Sequence, residues 1–221
     1  MRLRNVPGAR EEIAASKYVL LDDAKTKGKW NEIFDNDHPI QIEIGMGKGT
    51  FIMEMAQRHP EINFVGIEKY SSVLVRALEK LEAINNEKEE KGEATINNLL
   101  LFRMDAENIE NYFAKDEVSD IFLNFSDPWP KDRHAKRRLT SDRFLAKYIN
   151  LMKKTGTITF KTDNTDLFNF SVETANEEGW TFLKKTDDLH HSEYNEGNIM
   201  TEYEKKFSEM GNKIHMMQII Q

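Results

Sequence analysis

The sequence predicts a doubly wound α/β fold, with a mostly parallel sheet and an antiparallel C-terminal edge, on three observations. Short apolar runs alternate with helical-period segments from Ile40 to Glu178. The runs are apolar on both faces, as strands covered by helices on two sides must be. A glycine loop, Gly45-Met46-Gly47-Lys48-Gly49, separates the first run from the first helical segment. The length of 221 residues suits one domain at ~100–200 residues each and allows a full core without covalent staples.

In chain order, the apolar runs place strands at 40–44, 63–67, 99–103, 119–125 and 156–161. Helical periodicity places helices at 50–58, 71–85, 107–113, 142–152 and 166–178. Beyond Trp180 the rhythm changes to strands at 180–184, 203–209 and 213–220, the last two forming a hairpin around Gly211-Asn212. Residues 1–38 fit no βα unit. They read as a basic N-terminal arm, with a Pro7-Gly8 turn and a helix near 11–17, ahead of a domain spanning 39–221. The acidic stretch 85–92 reads as a loop.

Composition excludes several chemistries. With no cysteine there is no disulfide framework, no Cys-containing metal site and no thiolate nucleophile. No apolar run approaches the ~18–20 residues that span a bilayer, and no signal-peptide core follows the first residues. The expectation is a soluble, cytoplasmic protein. The net charge of −7 argues against a polycation that coats nucleic acid, but the charge is uneven. Lys131, Arg133, Lys136, Arg137 and Arg138 stand together with His134 and a single acid, Asp132. Such a patch on an acidic protein serves either a local anionic partner or simply a solvated loop.

The glycine loop alone decides little. It lacks the sixth-position glycine or alanine of the dinucleotide form, since Thr50 stands there, and no Gly-Lys-Ser/Thr closes it as a Walker loop. The acids are more informative. Glu43 precedes the loop, Glu68 closes the second strand and Asp105 closes the third. In open α/β sheets ligands bind beyond the carboxyl ends of strands, so three strand-end carboxylates line one crevice. Glu68 suits a ribose diol. Asp105 suits an adenine amine or, alternatively, the N-cap of the next helix. A carboxylate at Glu43 would repel a pyrophosphate but welcome an ammonium and a sulfonium, which together describe S-adenosylmethionine. Gly45 and Gly47 let the backbone approach that ligand.

The fourth strand runs into Asn124-Phe125-Ser126-Asp127-Pro128-Trp129-Pro130. Proline fixes the backbone beside the Asp127 carboxylate, and Trp129 either stacks on a ligand or packs as core. This stretch, continued by Lys131 and Arg133-His134-Ala135-Lys136-Arg137-Arg138-Leu139-Thr140, closely resembles the tRNA (guanine-N7-)-methyltransferases of the bacterial single-chain type. Lys161-Thr162-Asp163-Asn164, Thr201-Glu202-Tyr203-Glu204 and the glycine loop extend the resemblance over roughly Ile40 to Phe207. Met46 is bulkier than the residue usual between those glycines.

The resemblance implies a Rossmann-like, S-adenosylmethionine-dependent methyltransferase fold. It implies that Glu43, Glu68, Asp105 and Asp127 contact S-adenosylmethionine, with Asp127 the catalytic candidate. Lys131, Asp163, Thr201, Glu202, Tyr203 and Glu204 would meet the target nucleoside. Arg133, His134, Lys136, Arg137 and Arg138 would contact tRNA, whose variable-loop guanosine is methylated in this family. Arg2, Arg4 and Arg10 are candidates to extend that surface.

Guanine N7 carries a lone pair and no proton at neutral pH, so neither a general base nor a thiolate is required. Asp163 and Glu204 are the carboxylates available to accept from guanine N1–H and N2–H₂. Otherwise Asp163 is a helix cap and Glu204 a surface strand residue. His190-His191 resemble a metal pair without further ligands, and no metal is expected. The readings in competition are another S-adenosylmethionine-dependent methyltransferase, acting on adenine or a small molecule, and a non-catalytic RNA-binding module. Monomer and homodimer remain equally open, with no obligatory protein partner.

Overall fold

The computed structural model describes residues 6–221, so Arg2 and Arg4 lie outside the described residues. The chain divides after Tyr112 into two compact units.

In the first unit, four parallel strands lie in the order β1 (Val19–Leu21), β4 (Leu99–Arg103), β3 (Asn63–Glu68) and β2 (Ile40–Ile44). Every residue of β3 is buried, which explains its unbroken apolar run between two covering layers. Helix α3 (Thr50–Arg58) buries Phe51, Ile52 and Met53. Helix α4 (Ser71–Glu90) buries Leu74, Val75, Leu78 and Leu81, spaced to form one helical face. β2, α3 and β4 occur where the periodicity predicts them, residue for residue.

Three expectations need correction here. Part of the stretch expected to stand outside the βα units is built into the sheet, because Val19–Leu21 pairs with Leu101–Arg103. Trp30 is fully buried and its indole N–H donates to Tyr112 O at 2.9 Å. The acidic 85–92 stretch is not a loop. α4 runs on to Glu90, supported by a Glu87–Lys91 pair one turn apart, in residues with good helix propensity. The helix expected at 107–113 is a 3-10 turn over Ala106–Asn111. A helix α1 (Ala9–Ala15) and a short α2 (Trp30–Phe34) complete the unit.

In the second unit, β5 (Val118–Asn124) and β6 (Met152–Thr162) are parallel. β8 (His215–Ile220) lies antiparallel to β6 and to β7 (Thr181–Thr186), which gives the antiparallel C-terminal edge. Helices α5 (Asp142–Leu151) and α6 (Thr165–Glu177) connect β5, β6 and β7. Residues 203–209 are not a strand, and no hairpin turns at Gly211-Asn212. They form helix α7 (Glu202–Glu209), whose N-cap Thr201 accepts from the Glu204 N–H at 2.9 Å. A Thr-x-x-Glu sequence is a capping box, and that signal outranks the alternation that suggested a strand.

Candidate active site

In the first unit the glycine loop folds back on the end of β3. Gly45 and Met46 both donate to Ile67 O, at 2.9 and 3.0 Å. Gly45, Gly47 and Gly49 have φ of 79°, 57° and 73°, a left-handed backbone that glycine tolerates without a Cβ penalty. Nothing stands within 4 Å of a Cβ placed on Gly45 or Gly47, so the loop leaves room for a ligand against its backbone. Glu43 is 1 % exposed at the end of β2. Glu68 accepts from the Gly47 N–H at 3.2 Å and from the Tyr70 N–H at 2.9 Å, tying the loop to the start of α4.

Met46 fits because residue 66 is glycine. A Cβ at Gly66 would lie 2.4 Å from Met46 Sδ. Gly66→Ala therefore costs about 1–2 kcal/mol, the lower part of the overpacking range because a thioether can yield. On a Met46→Ala background the same substitution loses that cost, which urea unfolding of the four variants measures.

Asp105 serves as the predicted cap and also pairs with a cation. It accepts from the Glu107 N–H at 3.2 Å and from Lys69 Nζ at 2.6 Å. Burial pushes its carboxyl upward, but the Lys69 and Glu107 hydrogen bonds outweigh this and hold it below the ordinary aspartate value. A carboxylate has about four acceptor positions, so it can still receive an amine.

In the second unit Asp127 is exposed beyond the end of β5. Phe125 and Trp129, on either side of it, have φ of 54° and 42°. Left-handed backbone at non-glycine residues costs of order 1–3 kcal/mol each and persists only where surroundings enforce it. Here the Phe125 N–H donates to Lys161 O at 2.8 Å. The Arg138 guanidinium donates to Pro128 O and Trp129 O at 3.0 and 3.2 Å. Lys131, Arg133, Lys136 and Arg137 are exposed, while His134 and Arg138 are half-buried. His134 packs edge-on to Trp129, and Arg137 lies over the same ring.

Lys161 organises the rest of this unit's site, and sequence reading gave it no role. Its ammonium donates to Glu204 Oε2 at 2.6 Å, Ile199 O at 2.9 Å and Asn198 Oδ1 at 3.1 Å. Glu204 Oε1 is bonded to Asn198 Nδ2 at 2.7 Å and His190 Nε2 at 2.9 Å. The Glu204 side chain is 0 % exposed. Burial would raise its carboxyl, yet Lys161, reinforced by His190 and Asn198, holds it below the ordinary glutamate value. Glu204 is thus neither a surface residue nor open to a base edge. It braces the segment from Asn198 to Thr201 from beneath. His190 is a member of this network, whereas His191 pairs with Asp188. The signal in the sequence was a lysine inside the apolar end of a buried strand.

The remaining candidates stand around this brace. Asn164, not Asp163, caps α6, accepting from the Leu167 N–H at 2.8 Å. Asp163 is left half-buried, with Asn212 Nδ2 donating to it at 3.3 Å. Tyr203 is 43 % exposed and packs between Phe125 and Phe207, at ring distances of 5.1 and 4.1 Å. Burial, aided by the charge of Asp163, raises the Tyr203 hydroxyl above its ordinary value. Glu202 is exposed on the first turn of α7. Among the described residues, no group of three or more His, Asp or Glu is arranged to hold a metal, and no helix is long and apolar enough to cross a membrane.

A family described as "Putative methyltransferase" matches residues 37–217. A tRNA (guanine-N(7)-)-methyltransferase of Lachnoclostridium phytofermentans is 58 % identical over 98 % of this chain and 97 % of its own. One from a Geobacillus species is 50 % identical over 99 % of this chain and 95 % of its own. Among solved structures, the 16S rRNA methyltransferase KamB shares the fold with a TM-score of 0.63 and 13 % identity, over 90 % of this chain and 95 % of that one. The glycine loop, the strand-end acids and the Asp-Pro-Trp-Pro turn therefore sit in the Rossmann-like methyltransferase fold, and the chain belongs to the tRNA (guanine-N7-)-methyltransferase family.

Proposed function

We propose that this protein transfers the methyl group of S-adenosylmethionine to N7 of a guanosine in tRNA, and that the guanosine lies in the variable loop. The near full-length similarity to tRNA (guanine-N(7)-)-methyltransferases carries the reaction and substrate class. The fit of the first unit to the cofactor supports it. The buried Glu43 carboxylate suits the ammonium and sulfonium, Glu68 the ribose hydroxyls and Asp105 the adenine amine, with Gly45 and Gly47 leaving room. S-Adenosylmethionine supplies an electrophilic methyl group on a positively charged sulfur.

The protein's own contribution is orientation and charge. N7 is already a nucleophile, so no proton needs removing, and holding it in line with the methyl–sulfur bond can contribute up to ~7–11 kcal/mol. Asp127 orients the reacting pair and favours the positive charge as it moves to the purine. Asp163 accepts from the guanine N1–H and N2–H₂ edge, the role for which Glu204 is too deeply buried. Tyr203 presents a ring face to the base, and Thr201 and Glu202 complete the α7 edge. Lys131, Arg133, His134, Lys136 and Arg137 contact tRNA. Arg10, exposed on α1, extends that basic surface.

The site within tRNA is tested with transcripts in which the variable-loop guanosine is changed to adenosine. Acceptance is expected to vanish. Undiminished acceptance would move the target elsewhere in the tRNA.

A further inference from the structure

We propose that Arg138 is a positioning residue that clamps the Asp127 turn, and is not one of the phosphate contacts of the basic stretch. This rests on the catalytic role given to Asp127 above. The turn from Phe125 to Trp129 contains two left-handed non-glycine residues, at φ 54° and 42°. It lies beyond the last residue of β5, so no ladder pairing supports its far side. Arg138 supplies that support. Nε donates to Pro128 O at 3.0 Å and Nη2 donates to Trp129 O at 3.2 Å. The face of the guanidinium lies 4.2 Å from the centre of the Phe170 ring, on α6.

One planar group thus joins the turn to a helix through two hydrogen bonds and a ring contact. Only a guanidinium has this fork; a lysine offers a compact point charge with rotating donors. The consequence for Asp127 is direct. Its carboxylate precedes Pro128 and Trp129, whose carbonyls the clamp holds, so the aim of the carboxylate depends on Arg138. The other cations of the stretch differ. Lys131, Arg133, Lys136 and Arg137 are exposed, as phosphate contacts need to be.

The two roles predict opposite results from two substitutions. A phosphate contact survives Arg138→Lys, which keeps the charge, and fails in Arg138→Gln. A clamp fails in both, with no effect on the electrostatics of tRNA binding. Single-turnover methyl transfer with saturating S-adenosylmethionine and tRNA is measured beside tRNA binding across salt concentrations. The expected result is a loss of about 10–10²-fold in the methyl-transfer step for Arg138→Lys, the size of effect that small misplacement of a reacting group causes. The salt slope of Arg138→Gln stays at the wild-type value, whereas Arg137→Gln lowers it by about 0.7–0.9, one phosphate's worth. Phe170→Leu removes the ring under the guanidinium without touching charge. It lowers the same step in the same direction, less strongly, and decides the matter if Arg138→Lys is poorly folded.

The proposal is overturned if Arg138→Lys transfers methyl groups at the wild-type rate. It is equally overturned if Arg138→Gln loses a phosphate's worth of salt dependence. Failure of the underlying reading would look different, because the wild-type protein would then transfer no methyl group to tRNA.

Discussion

Asp127→Ala binds tRNA as tightly as the wild-type protein and transfers methyl groups about 10²–10³-fold more slowly, the usual consequence of removing one preorganised charge-stabilising group. The selectivity for rate over binding follows from where Asp127 stands. It is exposed beyond β5, on a turn held by Lys161 O on one side and by Arg138 on the other. No element of the second unit depends on its side chain for packing. Asp127→Asn keeps the shape and removes the charge, and is expected to be nearly as slow as the alanine variant. Raising the pH does not rescue either variant, because N7 has no proton to lose. Single-turnover rates and filter-binding constants measure both quantities. An equal loss of tRNA affinity would assign Asp127 to substrate binding instead.

Glu204→Gln produces the largest loss of stability, about 3–5 kcal/mol, because it strands the Lys161 ammonium in a buried site. The side chains of Lys161 and Glu204 are 4 % and 0 % exposed, so solvent cannot take over the missing partner. Replacing both, as Lys161→Met with Glu204→Leu, recovers much of the loss, since two well-packed apolar groups carry no unpaired charge. The double variant still transfers methyl groups poorly, because Asn198 and Ile199 lose the Lys161 ammonium that ties them to β6.

The pH dependence follows from the same pair. The folded-state Glu204 carboxyl lies below its unfolded value. Its contribution to stability is therefore complete above the ordinary glutamate range and is lost as the pH falls through and below that range. Glu204→Gln flattens that part of the stability profile. Urea unfolding from neutral to acidic pH measures the effect, and an unchanged slope would place the acid sensitivity elsewhere.

Local physics made much of the fold legible. β2, α3 and β4 were bounded correctly because apolar runs on two-sided strands end at the glycine loop and at charged residues. The strand-end acids were legible because a carboxylate at Glu43 or Glu68 has no packing reason to sit beside buried isoleucines. Alternation misled at 203–209, where Tyr203 and Phe207 stack as i, i+4 neighbours of a helix. The Thr201 cap was the signal to follow. The charge run at 85–92 misled by composition, although Glu and Lys are good helix formers. The Lys161 network was out of reach for a different reason. Its partners lie 37–43 residues away in the chain, so no window of local sequence contains the pairing. Arg138 was hidden among exposed cations of the same type, and only its two carbonyl partners set it apart.

Transfer of labelled methyl groups from S-adenosylmethionine to unmodified tRNA, followed by nucleoside analysis, tests the central claim most directly. The account predicts label in 7-methylguanosine. Label in any other nucleoside would contradict it, as would a folded protein that binds tRNA and transfers no label.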